Sequence, residues 1–369
     1  MKERLQLFLA HGDHLTTAIF LALVLLGGVM VRSATFGTRF APLASRQMLY
    51  DVLAVAVFFL AAWIPYEIWI EYSYLVYGAC VALLLAVFPL GHSVAGSRSW
   101  IYLGPVGFQP SEFAKVGAAL ACAGYIKDLS HREIGPREFL VLSGIIGAPF
   151  LLTLVQPDFG TATTFLPLVI AVFFLSRMRL RQILKLAGAG VLLMLVLFSV
   201  GWFTFLKPYQ KERLMTFVKP ATDPKGAGYQ VHQARIAVGS GEVTGKGLFS
   251  GTQNRLNFLP APHTDFIFGV VSEELGFLGS ITVVGLFLAL LSRFLSTLST
   301  ARDAEGRFLV LGAFFVFLYH LTINVGMVIG LVPTAGIPLP FLSYGGSFLL
   351  GSSLLCGLAA NVRARRYAQ

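Results

Sequence analysis

Ten apolar runs, each near the length of helix that crosses ~30 Å of hydrocarbon, constrain this chain more than any other feature. They lie at about Leu15 to Val31, Met48 to Ile64, Tyr74 to Leu90, Ser111 to Ile126, Phe139 to Gln156, Thr161 to Leu175, Ile183 to Leu206, Phe266 to Leu291, Phe308 to Val332 and Pro340 to Val362. Inside a bilayer the backbone must satisfy its own hydrogen bonds, so such runs predict helices. The expected fold is an all-α polytopic membrane protein of about ten transmembrane helices. It forms one integral domain over residues 1–369, with a large extracytoplasmic loop at 207–264 between helices 7 and 8. Only 12% of residues are charged, against ~25% in soluble proteins, which excludes an ordinary soluble fold. The first run follows Lys2 and Arg4 as a signal sequence would, but no small-residue cleavage site follows, so it reads as a retained anchor.

The net charge of +10 has a membrane explanation rather than a nucleic-acid one. With both termini in the cytoplasm, the termini and short inner loops hold fifteen Lys and Arg, while the short outer loops hold Arg32, Arg39, Arg46 and Arg98. The long loop adds eight more basic residues against Glu212, Asp223 and Glu242. A basic lid over the outer leaflet favours an anionic partner such as a pyrophosphate or phospholipid headgroup. Within it, Tyr229 to Val238 fits a short amphipathic helix lying on the membrane, and fits ordinary packing equally well. Cys80, Cys122 and Cys356 fall inside spans and offer no disulfide framework. His11, Asp13 and His14 read as a solvated juxtamembrane turn, and no metal cluster is evident.

Four acids on different helices, Asp51, Glu112, Asp158 and Asp265, are expected at the outer face. Asp265 follows Thr264, a good N-cap, and so belongs in the first turn of the eighth span. A half-desolvated carboxylate there can take a proton from a substrate hydroxyl, or it can simply complement the helix dipole. Glu112 and Lys115, three apart, share a helix face and read either as a structural ion pair or as part of a site. Glu273 and Glu274, near the middle of the eighth span, require enclosure. His320 and Asn324, four apart, are expected to supply buried hydrogen bonds rather than ligands. The segment PTAGIPLPFLSYGGS, Pro333 to Ser347, implies non-helical backbone, which membrane depth tolerates only inside protein or beside a water-filled cavity.

These stretches resemble the SEDS family (shape, elongation, division and sporulation proteins). The resemblance is carried by GSRSWIYLGPVGFQPSEFAK at Gly96 to Lys115, QPDFGTA at Gln156 to Ala162, GSGEVTGKGLFSGTQNRLNFLPAPHTDFIFGVVSEELGFLG at Gly239 to Gly279, and Asn324 to Ser347. It extends over essentially the whole chain. Ala261 and Pro262 replace a Glu-X usual in the family, and Phe348 replaces a small residue. The resemblance implies a glycosyltransferase that polymerises lipid II into peptidoglycan at the outer face of the bacterial plasma membrane. It would work beside a class B penicillin-binding protein and other membrane proteins of the elongation complex. It also implies that Asp265 is the essential acid, a general base for the attacking sugar hydroxyl. Lys115, Arg235, Lys246 and Arg255 are candidates to neutralise the pyrophosphate leaving group, alone or with a divalent metal such as Mg or Mn. Glu112, Asp158 and Ser343 are further expected substrate contacts. Short tails, roughly fourteen residues before the first span and seven after the last, favour elongation over division. A lipid II flippase and a non-catalytic scaffold are the alternatives.

Overall fold

The computed structural model describes residues 12–366 apart from 95–96, 105, 131–132, 177, 180, 183–184, 186–187, 189–226, 257 and 260. In chain order the elements are α1 (His14–Thr35), α2 (Pro42–Trp63), α3 (Tyr66–Glu71), α4 (Ser73–Leu90), β1 (His92–Val94), β2 (Ser97–Leu103), β3 (Val106–Phe108), α5 (Pro110–Asp128) and α6 (Pro136–Val155). There follow α7 (Phe159–Thr163), α8 (Leu166–Leu175), α9 (Ala227–Ser240), α10 (Thr252–Arg255), α11 (Ile267–Thr300), α12 (Ala304–Ile329) and α13 (Gly346–Ala364). Proline at the first turn opens α2, α5 and α6, where its missing N–H costs nothing. Asp13, Asp158 and Asp303 cap α1, α7 and α12 through their side chains.

Among the described residues seven helices, α1, α2, α4, α6, α11, α12 and α13, are long and apolar enough to cross a membrane. The expected span at Ser111 to Ile126 is the helix α5, which carries Glu112, Lys115, Lys127 and Asp128 and so falls short in apolarity rather than length. It is buried on nearly every side, packed by α4, α6, α12 and α13. The expected sixth span is broken at Thr164 and Phe165 into α7 and α8, and Ile183 to Leu206 lies almost wholly outside the described residues. Gly91 to Pro110 forms an antiparallel three-stranded sheet, with Ser93 opposite Arg98 and Tyr102 opposite Gly107. Arg98 closes it onto α4 by donating from Nε to the carbonyl of Gly91 at 2.7 Å.

Two expectations need correction. The turn around Asp13 is solvated only in part: His14 is exposed and His11 lies outside the described residues, but Asp13 is buried, caps Thr16, and pairs with Arg293 at 2.8 Å and Arg363 at 3.5 Å, tying α1 to α11 and α13. The acids Glu273 and Glu274 are enclosed, but by a break in the helix. Gly276 takes φ 66° and ψ −161° inside α11, a conformation that favours glycine. The break leaves backbone groups unpaired, and the loop before it fills them. Lys246 N and Gly247 N donate to the carbonyls of Glu273 and Glu274 at 3.0 and 2.9 Å, while Phe277 N and Leu278 N donate to Glu242 and Val243 at 2.9 and 3.1 Å. The part from Phe277 to Thr300 is roughly 36 Å long at 1.5 Å per residue, enough to cross alone. The two acids therefore sit at one end of the crossing segment. The expected helix near Tyr229 exists as α9, with Ala234 and Ala237 fully buried where it packs on α11 and α12.

Candidate active site

Between α12 and α13 the chain is non-helical from Leu331 to Gly345. Pro333, Pro338 and Pro340 lack N–H groups, which leaves this backbone short of donors, so the carbonyls of Ile337 and Pro338 take theirs from elsewhere. The side chains of α12 supply them. Asn324 Nδ2 donates to Ile337 O at 2.8 Å, and His320 Nδ1 faces Pro338 O at 3.0 Å. Leu339 N donates to Ser343 Oγ at 2.8 Å. Phe341 adopts φ 66° and is fully buried, with its ring 5.2 Å from Phe20 and 5.3 Å from Phe317. A non-glycine residue there costs on the order of 1–3 kcal/mol, sustained by that packing.

The same segment grips the turn that carries Asp265. Three consecutive carbonyls each receive a hydrogen bond: His263 O from Tyr344 N at 2.8 Å, Thr264 O from Ser343 Oγ at 2.7 Å, and Asp265 O from Asn324 Nδ2 at 2.9 Å. Here the local expectation differs from the structure. Asp265 is not in the first helical turn, because α11 begins at Ile267 with Phe266 as its cap, and the Thr264 hydroxyl donates to Ala261 O instead of capping. Asp265 thus sits in a turn just outside the helix, half-buried, with its main chain held by two other parts of the molecule.

The other sequence motifs close around this segment. A Cβ on Gly160 would lie 2.3 Å from Ala335 O, so only glycine admits the contact between α7 and the segment. Beside it Asp158 caps Thr161 N at 3.2 Å and accepts from Gln109 Nε2 at 3.2 Å, while Gln109 N donates to Ser347 Oγ at 3.0 Å. Asp51 accepts from Gln47 at 2.8 Å, and the neighbouring Tyr50 ring lies against Gly346 and Tyr344.

Of the residues expected to meet substrate, several are occupied within the protein. Glu112 and Lys115 form a buried ion pair at 3.0 Å. Lys246 is paired with Glu273 at 2.7 Å. Ser343 is fully buried and holds Thr264 and Leu339 rather than facing a ligand. Arg235 is exposed, with its stem across Gly330 at the end of α12, and Arg255 is exposed 5.9 Å from the Phe36 ring. His263 went unnoticed in the sequence. It is buried between Phe40 and Tyr344, with ring centroids 4.7 and 5.8 Å away, and burial pushes its imidazole down to about 4. Arg39 stacks on Phe40 at 4.8 Å and Arg46 hydrogen-bonds the Tyr344 side chain, which brings two arginines to this edge of the site. The clue available was position alone, since His263 is two residues from Asp265. Among the described residues no three His, Cys, Asp or Glu side chains gather as a ready ligand set for a divalent metal.

Fold and site together define a multi-pass helical membrane protein with the turn that carries Asp265 fixed at the meeting point of its motifs. The chain belongs to the SEDS family: the family described as "Cell cycle protein", of FtsW, RodA and SpoVE, matches residues 13–368. The peptidoglycan glycosyltransferase MrdB of Escherichia coli K12 is 35% identical over 363 residues, covering 96% of this chain and 94% of that protein. The peptidoglycan glycosyltransferase RodA of Treponema pallidum is 30% identical, covering 96% and 98%. Among solved structures, a chain of a peptidoglycan synthase complex studied for its coordination of polymerization and crosslinking superposes with a TM-score of 0.80 at 30% identity, covering 97% of this chain and 99% of that one. The Rod shape determining protein RodA of Thermus thermophilus gives 0.70 at 27% identity, covering 97% and 98%.

Proposed function

We propose that this protein polymerises lipid II into peptidoglycan glycan strands at the outer face of the bacterial plasma membrane, in cell elongation and shape maintenance. The observation that carries the reading is the half-buried Asp265 on a turn whose three carbonyls are pinned by Ser343, Tyr344 and Asn324. Pre-organisation of this kind is what a general base requires. The 4-hydroxyl oxygen of one lipid II attacks the anomeric carbon of another as its proton passes to Asp265. The bond from that carbon to undecaprenyl pyrophosphate breaks, and the centre inverts. Membership of the family, with relatives named peptidoglycan glycosyltransferases, supports this reading.

The pyrophosphate needs positive charge. Arg255 and Arg235 are exposed and available to it, whereas Lys115 and Lys246 already answer Glu112 and Glu273. In this proposal both termini are cytoplasmic, 207–264 is the outer loop of a single integral domain, and a class B penicillin-binding protein crosslinks the product. The likeness to a chain of a peptidoglycan synthase complex supports that partnership. Purified protein given labelled lipid II, with and without the partner, tests the reading. Glycan strands are expected. Transbilayer movement without polymer would instead favour a flippase, and neither would favour a scaffold.

A further inference from the structure

Lys115 and His320 are almost wholly buried, at 4% and 1% exposure, and they meet: Nζ lies 3.4 Å from Nε2. On its other edge the ring presents Nδ1 to Pro338 O at 3.0 Å. A carbonyl only accepts, so Nδ1 carries the hydrogen and Nε2 offers a lone pair, for which the Lys115 ammonium is the donor. The same ammonium lies 3.0 Å from Glu112 Oε2, which makes its charge tolerable at membrane depth. Phe348 closes over both, 5.0 Å from the His320 ring and 5.9 Å from Lys115 Nζ. From Glu112 to Pro338, one assignment of protons makes each of these contacts a hydrogen bond with a donor and an acceptor.

One helical turn on, Asn324 spends both amide hydrogens, on Ile337 O and Asp265 O at 2.8 and 2.9 Å. His320 and Asn324 thus hold two consecutive carbonyls, those of Pro338 and Ile337, in a backbone that three prolines leave short of donors. Asn324, with Ser343 and Tyr344 further along the segment, transfers that placement to residues 263–265. We infer that Lys115 is a positioning residue for Asp265, acting through His320 and the 337–344 segment, and is not a cation that meets the pyrophosphate. The inference rests on the proposed reaction only for its kinetic readout.

The test compares Lys115→Met, His320→Leu and His320→Gln in the full-length protein by lipid II kinetics and by hydrogen exchange of the 261–267 backbone. Lys115→Met and His320→Leu are expected to lower kcat by about 10²-fold, the scale of a ~1 Å misplacement, with KM nearly unchanged and faster exchange at 261–267. Glutamine at 320 can donate to Pro338 and accept from Lys115, so it should restore most of both. If the lone Glu112 charge prevents folding, Glu112→Gln combined with Lys115→Met leaves no unpaired charge, still removes the donor to His320, and carries the same expectation. A raised KM with unchanged kcat and unchanged exchange would overturn the inference and make Lys115 a substrate contact. If wild-type protein made no glycan, the proposed reaction would fail, and the exchange measurement alone would decide the positioning role.

Discussion

Lys246 is held twice by Glu273: its Nζ lies 2.7 Å from the carboxylate, and its backbone N–H donates to the carbonyl of the same residue at 3.0 Å. Thr252 N, Thr252 Oγ1 and Gln253 N converge on that carboxylate oxygen at 2.8, 2.9 and 3.1 Å, while the adjacent Glu274 accepts from Ser33, Phe249 and Gly251. Two acids that look misplaced in an apolar run are thus the clasp of the 242–256 loop. Glu273→Leu should lower stability by about 1–3 kcal/mol, the cost of stranding buried donors. It should also open residues 242–256 to protease, which limited proteolysis with thermal unfolding would detect. Unchanged cleavage would show that the clasp does not hold the loop.

A second clasp closes the C-terminal end of α2. Asn361 Nδ2 reaches the carbonyls of Ala61 and Ala62 at 2.7 and 3.0 Å and that of Ile64, and Asn361 Oδ1 accepts from Tyr66 N at 3.2 Å. These include carbonyls that a helix end leaves without partners. Asn361→Leu should cost about 1–3 kcal/mol in thermal unfolding. Its effect on activity should follow from lost folded protein and leave turnover per folded molecule unchanged.

His263 gives the site a pH signature. Burial holds its imidazole at about 4, below the ordinary 6.5, so the folded protein keeps it neutral. A group depressed on folding adds stability that is complete above its unfolded value and is lost as pH falls from 6.5 toward 4, up to about 3 kcal/mol. Unfolding measured from pH 7 to 4 should show this loss in wild type and a shallower one in His263→Phe. Parallel curves would contradict it.

The proposed orientation places the 242–251 loop outside the cell. Val243 is 60% exposed, and all three natural cysteines are buried. Val243→Cys in intact cells freed of the outer envelope should therefore react with a membrane-impermeant thiol reagent. Reaction only after access from the cytoplasmic side would reverse the topology.

Most of the helical frame was legible because apolar length in a membrane chain has few other meanings. α1, α2, α4, α6 and α12 lie close to their expected positions. What periodicity could not give was the break at Gly276, since an apolar run reads alike on either side of one glycine. Nor could it tell which charges are spent internally. Lys246 and Glu273 are far apart in sequence, as are His320 and Pro338, so their pairing depends on tertiary contact. The enclosure of His320 and Asn324 was foreseeable from their four-residue spacing, while their partners, loop carbonyls rather than other helices, were not.

The central claim is that Asp265 acts chemically. Asp265→Asn keeps the shape and the carbonyl held by Asn324, but an amide cannot accept a proton at neutral pH. Glutamate should rescue poorly, because an arm longer by about 1 Å can cost ~10²-fold against a positioned hydroxyl. If the residue only complements the helix beside it, the amide should lower stability by roughly 0.3–1 kcal/mol and spare turnover. The decisive measurement is lipid II polymerisation and thermal unfolding on one purified sample of Asp265→Asn with its partner. The account predicts wild-type unfolding and no glycan strands; strands made at the wild-type rate would contradict it.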